Sequence, residues 1–120
     1  MSELRYVVLR HDGIAEPHFD FLFEREPGSD LITFRFPDWP IWEVTEVTEL
    51  RPHRRVYLSY EGDISGGRGN VQRIAEGTCR VEHAGDGTWR VTLLAERPTV
   101  VVLTPAQGST FFARIEGNAA

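Results

Sequence analysis

The chain has 120 residues, a formal net charge of −5 and a single cysteine, Cys79. That length suits one domain over residues 1–120, burying roughly two-thirds of its unfolded surface without covalent staples, and the lone cysteine excludes an internal disulfide framework and fits a reducing compartment. The negative balance argues against non-specific coating of nucleic acid, whose affinity comes from neutralising phosphates, but leaves room for a small basic pocket around one phosphate.

The predicted elements are short alternating or β-rich runs divided by turn residues. Met1 to Arg10 lacks the apolar segment of a secretory leader, and no apolar run approaches the roughly 20 residues of a membrane span. A soluble cytoplasmic protein with no membrane partner is therefore expected. Strands are predicted over Arg5–Arg10, His18–Glu24, Leu31–Phe36, His53–Tyr60, Val71–Val81, Thr88–Leu94, Thr99–Leu103 and Thr110–Ile115. Pro27-Gly28-Ser29-Asp30, the stretch from Gly62 to Asn70, Ala84-Gly85-Asp86-Gly87 and the stretch from Pro105 to Gly108 carry turn chemistry. Asp86-Gly87 between two β-rich runs is a hairpin signal. Pro37-Asp38-Trp39-Pro40-Ile41-Trp42 reads as a rigid aromatic connector that caps a barrel end. No segment keeps a helical period over 12 residues. The expected fold is all-β, a small closed or nearly closed antiparallel barrel of about eight strands with little helix.

Chemistry concentrates in three places. In His18-Phe19-Asp20-Phe21-Leu22-Phe23-Glu24, alternation sends the phenylalanines to one face and His18 with Asp20 to the other. With His11 upstream, this is a candidate divalent-metal site. If His53–Tyr60 is a strand, His53, Arg55 and Tyr57 share a face, offering an imidazole that titrates near neutrality, a guanidinium and a phenol. An ordinary solvated strand face is the competing reading. The glycine-rich loop Gly62–Asn70 could cradle an anion beside Arg68 or be a tight structural turn. All 13 basic residues are arginine, so no lysine is present to bind phosphate or act as nucleophile. His83, in the Asp86-Gly87 hairpin, reads as an exposed residue without a role.

Three segments, in order, resemble the 3′-phosphoesterase domain of bacterial ligase D, the end-joining DNA ligase. The first is Tyr6-Val7-Val8-Leu9-Arg10-His11-Asp12 followed by His18-x-Asp20 and Glu24. The second is Thr33-Phe34-Arg35-Phe36-Pro37. The third is His53-x-x-x-Tyr57-x-x-Tyr60-Glu61-Gly62-x-Ile64. The likeness is strongest over residues 5–71. It implies a β-barrel with a divalent metal, manganese first and zinc as the alternative, that removes a ribonucleoside or a phosphate from nucleic-acid 3′ ends in DNA repair. His11, His18 and Asp20 would be the metal ligands, and His53 with Tyr57 would act at the phosphate. A repair ligase or polymerase would be a partner in trans.

Departures fall on the cations. The family's arginine two positions past the aspartate is Leu22 here, its lysine after the Val-Pro is Asp38, and another of its arginines falls near Thr45. The first two histidines are also one residue further apart. Strand parity makes Arg35 and Arg55 candidates to supply the missing guanidinium. Alternatives are a catalytically degenerate metal- or end-binding module of a repair complex, and a non-haem iron oxygenase built on His18-x-Asp20 and His53.

Overall fold

The structure, a computed structural model, describes residues 3–117. Nine strands run in chain order: β1 (Leu4–Asp12), β2 (His18–Glu24), β3 (Leu31–Phe36), β4 (Thr45–His53), β5 (Gly62–Asp63), β6 (Asn70–His83), β7 (Trp89–Leu93), β8 (Thr99–Pro105) and β9 (Thr110–Gly117). All pairings are antiparallel, and β1, β2, β3, β4, β9, β8, β7 and β6 close into a ring because β6 returns to pair with β1. The expected all-β barrel is the observed fold. The two-residue β5 adds to the start of β6. Among the described residues no helix is long and apolar enough to cross a membrane.

The barrel interior is built on parity. Phe21, Phe23, Phe34 and Phe36 are fully buried and join Val8, Val91, Val101, Leu103 and Ala113 in one core. Edge-to-face contacts tie the rings together, with Phe23 and Trp89 centroids 5.4 Å apart and Phe34 and Phe111 centroids 4.9 Å apart. The aromatic connector caps this core as expected. Trp39 lies 5.4 Å from Phe21 and 5.2 Å from Phe36, Ile41 is buried, and Trp42 is exposed. The Asp86-Gly87 hairpin joins β6 to β7, where the exposed His83 stacks on Trp89 at 3.6 Å.

One predicted strand is corrected. His53 ends β4 instead of starting a strand, and Arg55–Leu58 is a single 3₁₀ turn. The outer face of β1–β3 explains this. Val7, Leu9, Leu22 and Leu31 point outward, away from the barrel core, and need cover. Leu58 drops onto them together with Val71, and Tyr57, Tyr60 and Ile64 pack around the edge. Burying Leu58 contributes about 1.5–3 kcal/mol, which a strand carrying Leu58 away from this patch would forfeit.

Candidate metal centre and its clefts

Register assembles the site. On the outer face of the sheet His11 stands directly opposite His18 across the β1–β2 pair, and Asp20 stands opposite Arg35 across β2–β3. His18 and Asp20 are buried, and His11 is partly so. One ligand atom from each of His11, His18 and Asp20 lies within 4.8 Å of the others. His18 Nε2 is 3.3 Å from Asp20 Oδ1, and His11 Nδ1 is 3.9 Å from Asp20 Oδ2. Ligand bonds of about 2.0–2.2 Å imply ligand-to-ligand separations of roughly 3–3.6 Å, a spacing that His18 and Asp20 already have and that the widest pair reaches by closing about 1 Å. This group could hold a metal ion.

Two backbone carbonyls set the tautomers. His18 Nδ1 donates to the Glu16 carbonyl at 3.0 Å, and His11 Nε2 donates to the Arg68 carbonyl at 2.7 Å. Each ring therefore turns its unprotonated nitrogen towards Asp20. The outcome is a face-off of acceptors, since His18 Nε2 and Asp20 Oδ1 are both buried without a hydrogen-bond partner. Only a cation between them, a metal ion or a proton, makes that arrangement favourable. Three protein ligands on an otherwise open face are also the coordination number of catalytic sites.

Around this centre lies a cleft of about 530 Å³ lined by His11, His18, Glu16, Arg35, Gly67 and Arg68. Arg35 also lines a smaller cavity of about 290 Å³ with His18, Glu46 and Thr48. It is exposed, and among the described residues it forms no ion pair. The parity expectation for Arg35 therefore places it beside the ligands. Arg55 goes elsewhere. Its Nη1 is 2.6 Å from Glu24 Oε2 and 2.8 Å from the Ser29 carbonyl, so its premise of a strand face shared with His53 fails. Burial pushes the Glu24 carboxyl up, but hydrogen bonds from Arg55 and from the Gly28 and Arg5 amides outweigh this and hold it below the usual carboxylate value.

His53 is opposite Leu31, four positions along β3 from Arg35, an offset of about 13 Å along the strands. Its Nδ1 donates to the Arg51 carbonyl at 2.9 Å, and its ring packs 5.6 Å from that of Tyr57. The third residue gathered with His18 and Asp20 is thus His11, and the His18, Asp20 and His53 triad of an oxygenase is not formed. Tyr57 lines a neighbouring cleft with Arg54, Tyr60 and Arg68. Leu22 is fully buried beneath the 3₁₀ turn.

Sequence reasoning missed the Glu16 and Arg68 carbonyls. No signal could have found them, because a backbone oxygen serves whatever the side chain. The glycine-rich loop is the turn that delivers the Arg68 carbonyl. Gly69, at φ +82°, lies so close to the Asp12 carbonyl that a methyl group there would overlap it. No family model matches the sequence, and no curated protein matches it.

Proposed function

We propose that the chain is a divalent-metal-dependent phosphoesterase, related to the 3′-phosphoesterase domain of ligase D, that removes a phosphate or ribonucleotide from nucleic-acid 3′ ends. The observation that carries this reading is the pair of imidazole nitrogens turned onto a buried, unpartnered carboxylate, with the free guanidinium of Arg35 at the same cleft. Manganese is the metal this reading favours, with zinc as the alternative. A bound divalent ion supplies Lewis-acid polarisation of the phosphoryl oxygens. Arg35 binds non-bridging oxygens with its planar fork of donors, and the buried position of Asp20 keeps water from competing for the ligand atoms. His53 is offset by about 13 Å along the strands and lines neither cleft that Arg35 lines, so the anion contact nearest the ligands falls to Arg35. His53 and Tyr57 then meet substrate further along. The ligase or polymerase of the repair reading would act in trans.

Hydrolysis of a 3′-phosphate oligonucleotide with manganese tests this directly. Wild type should release phosphate, Asp20→Ala should lose turnover, and Arg35→Ala should lose roughly 10- to 100-fold in kcat/KM, the worth of a charged hydrogen bond at about 1.5–3 kcal/mol. No phosphate release by folded, manganese-loaded wild type overturns the reading. A metal-holding module without turnover is the second reading. It is favoured by Leu22 lying buried and Arg55 being tied to Glu24, so that of the three positions only Arg35 brings a guanidinium to the ligands.

A further inference from the structure

Beside the candidate metal centre, Arg68 belongs to two clefts at once. It lines the cleft of His11 and His18 and also a second cleft of about 320 Å³ whose other walls are Arg54, Val56, Tyr57, Tyr60, Asp63, Ile64 and Ser65. The two clefts meet at Arg68. This second cleft reverses the sign of the molecule. The chain carries −5 overall, whereas the ionisable side chains here are two arginines, one aspartate and two tyrosines.

The walls are also ordered. The Tyr57 and Tyr60 rings meet edge to face at 6.1 Å, and the Tyr60 hydroxyl donates to the Asp63 carbonyl. Arg68 is braced by its Nε donating to the Ser65 carbonyl at 2.7 Å. Arg54 is exposed at the rim. Cations interleaved with aromatic faces are the chemistry that binds single-stranded nucleic acid, where phosphates take the guanidinium groups and bases stack on the rings.

We infer that the Arg54, Tyr57, Tyr60 and Arg68 cleft is a strand-binding subsite that holds the nucleotides preceding a single-stranded 3′ end whose terminal phosphate lies at His11, His18, Asp20 and Arg35. This inference rests on the phosphoesterase reading for the identity of its ligand and adds the form of the substrate. Duplex ends are disfavoured, because a paired base cannot be splayed onto a tyrosine ring. It also assigns His53 a place, since His53 packs on Tyr57 and so borders the strand path instead of the reacting phosphate.

The test is binding of a fluorescent oligothymidine to metal-free protein, followed by anisotropy over a series of salt concentrations. Wild type should bind the single strand, and each phosphate contact should contribute about 0.7 to the slope of log K against log salt. Arg54→Ala should lower that slope by about 0.7, Arg54→Lys should restore it, and Arg80→Ala, on the exposed face of β6, should leave it unchanged. A strand with abasic sites near its 3′ end should bind about 5-fold or more weakly. An unchanged slope in Arg54→Ala, or equal affinity for the abasic strand, overturns the subsite. Phosphate release by the same wild-type protein reads the parent proposal separately. Turnover without strand binding removes the subsite alone. Strand binding without turnover removes the hydrolase and leaves the cleft standing.

Discussion

Replacing Asp20 with asparagine should make the metal-free protein more stable and blind to metal. Without a cation, His18 Nε2 and Asp20 Oδ1 face each other as acceptors at 3.3 Å, both buried and unpartnered. An asparagine amide puts a donor where Oδ1 stands and removes a buried charge. Leaving a buried polar group unsatisfied costs about 1–3 kcal/mol. At the low end, that is a rise of about 3–6 °C in Tm for a domain of this size. Metal reverses the order. A metal at 100 times its Kd stabilises wild type by about 2.7 kcal/mol, and the asparagine variant loses most of that gain with its anionic ligand. Paired thermal melts at a pH alkaline enough to keep imidazoles neutral, one series with chelator and one with manganese, read both effects. A variant that melts below wild type in chelator would refute the acceptor face-off. A variant that keeps the full manganese shift would refute Asp20 as a ligand.

Three further outcomes follow from the structure. Gly69→Ala forces a methyl group onto the Asp12 carbonyl at a positive φ, which moves the Arg68 carbonyl off His11. Titration calorimetry should show manganese affinity reduced roughly 10- to 100-fold, as for other lost ligand supports. Glu24→Gln should flatten the acid limb of the stability curve. The carboxyl is held below its ordinary 4.5, so the unfolded chain binds more protons in that window and stability rises with pH through it. The contribution is complete above the ordinary value and lost as pH falls through the folded one, which denaturant titrations at several acidic pH values resolve. Cys79 is fully buried, and burial, followed by the charge of Glu24, pushes its thiol up to about 12. A thiol reagent at neutral pH should label it only as fast as the protein unfolds.

Where phenylalanines alternate clearly with other residues, the sequence was legible. His18–Glu24 and Leu31–Phe36 were predicted at their observed bounds, and the phenylalanine parity that put His18 and Asp20 on one face is the parity seen. β4 was not legible. In Thr45–His53 only Val47 is buried, and two threonines, two glutamates, Arg51, Pro52 and His53 leave Leu50 as the one other apolar side chain of any size, so the period-2 signal was too thin to read. The run after it misled in the opposite sense. Val56, Leu58 and Tyr60 alternate like a strand, yet Val56 is exposed and Leu58 is buried on a 3₁₀ turn. What decided that segment was a distant demand, the aliphatic outer patch of β1–β3, which no local window contains.

That same patch explains why the guanidinium beside the candidate ligands stands on a neighbouring strand. Leu22 follows Asp20 on the outer face, lies between Val7 and Thr33 in register, and is sealed under Leu58. A guanidinium at this position would be taken out of water beneath Leu58, with Glu24 already held by Arg55 and Asp20 turned to His11 and His18. Arg35 avoids the penalty. It is the cross-strand partner of Asp20, close to the ligands, yet it projects from β3 where the cover of the 3₁₀ turn has ended and its charge stays hydrated. Exchanging Leu22 for arginine should therefore destabilise the protein by about 3 kcal/mol or more, the scale of an uncompensated buried charge, without adding to phosphate affinity. Denaturant unfolding alongside phosphate titration checks both. A Leu22→Arg variant that is as stable as wild type and binds phosphate more tightly would show that the patch is open, and that its cover is not what moved the cation to Arg35.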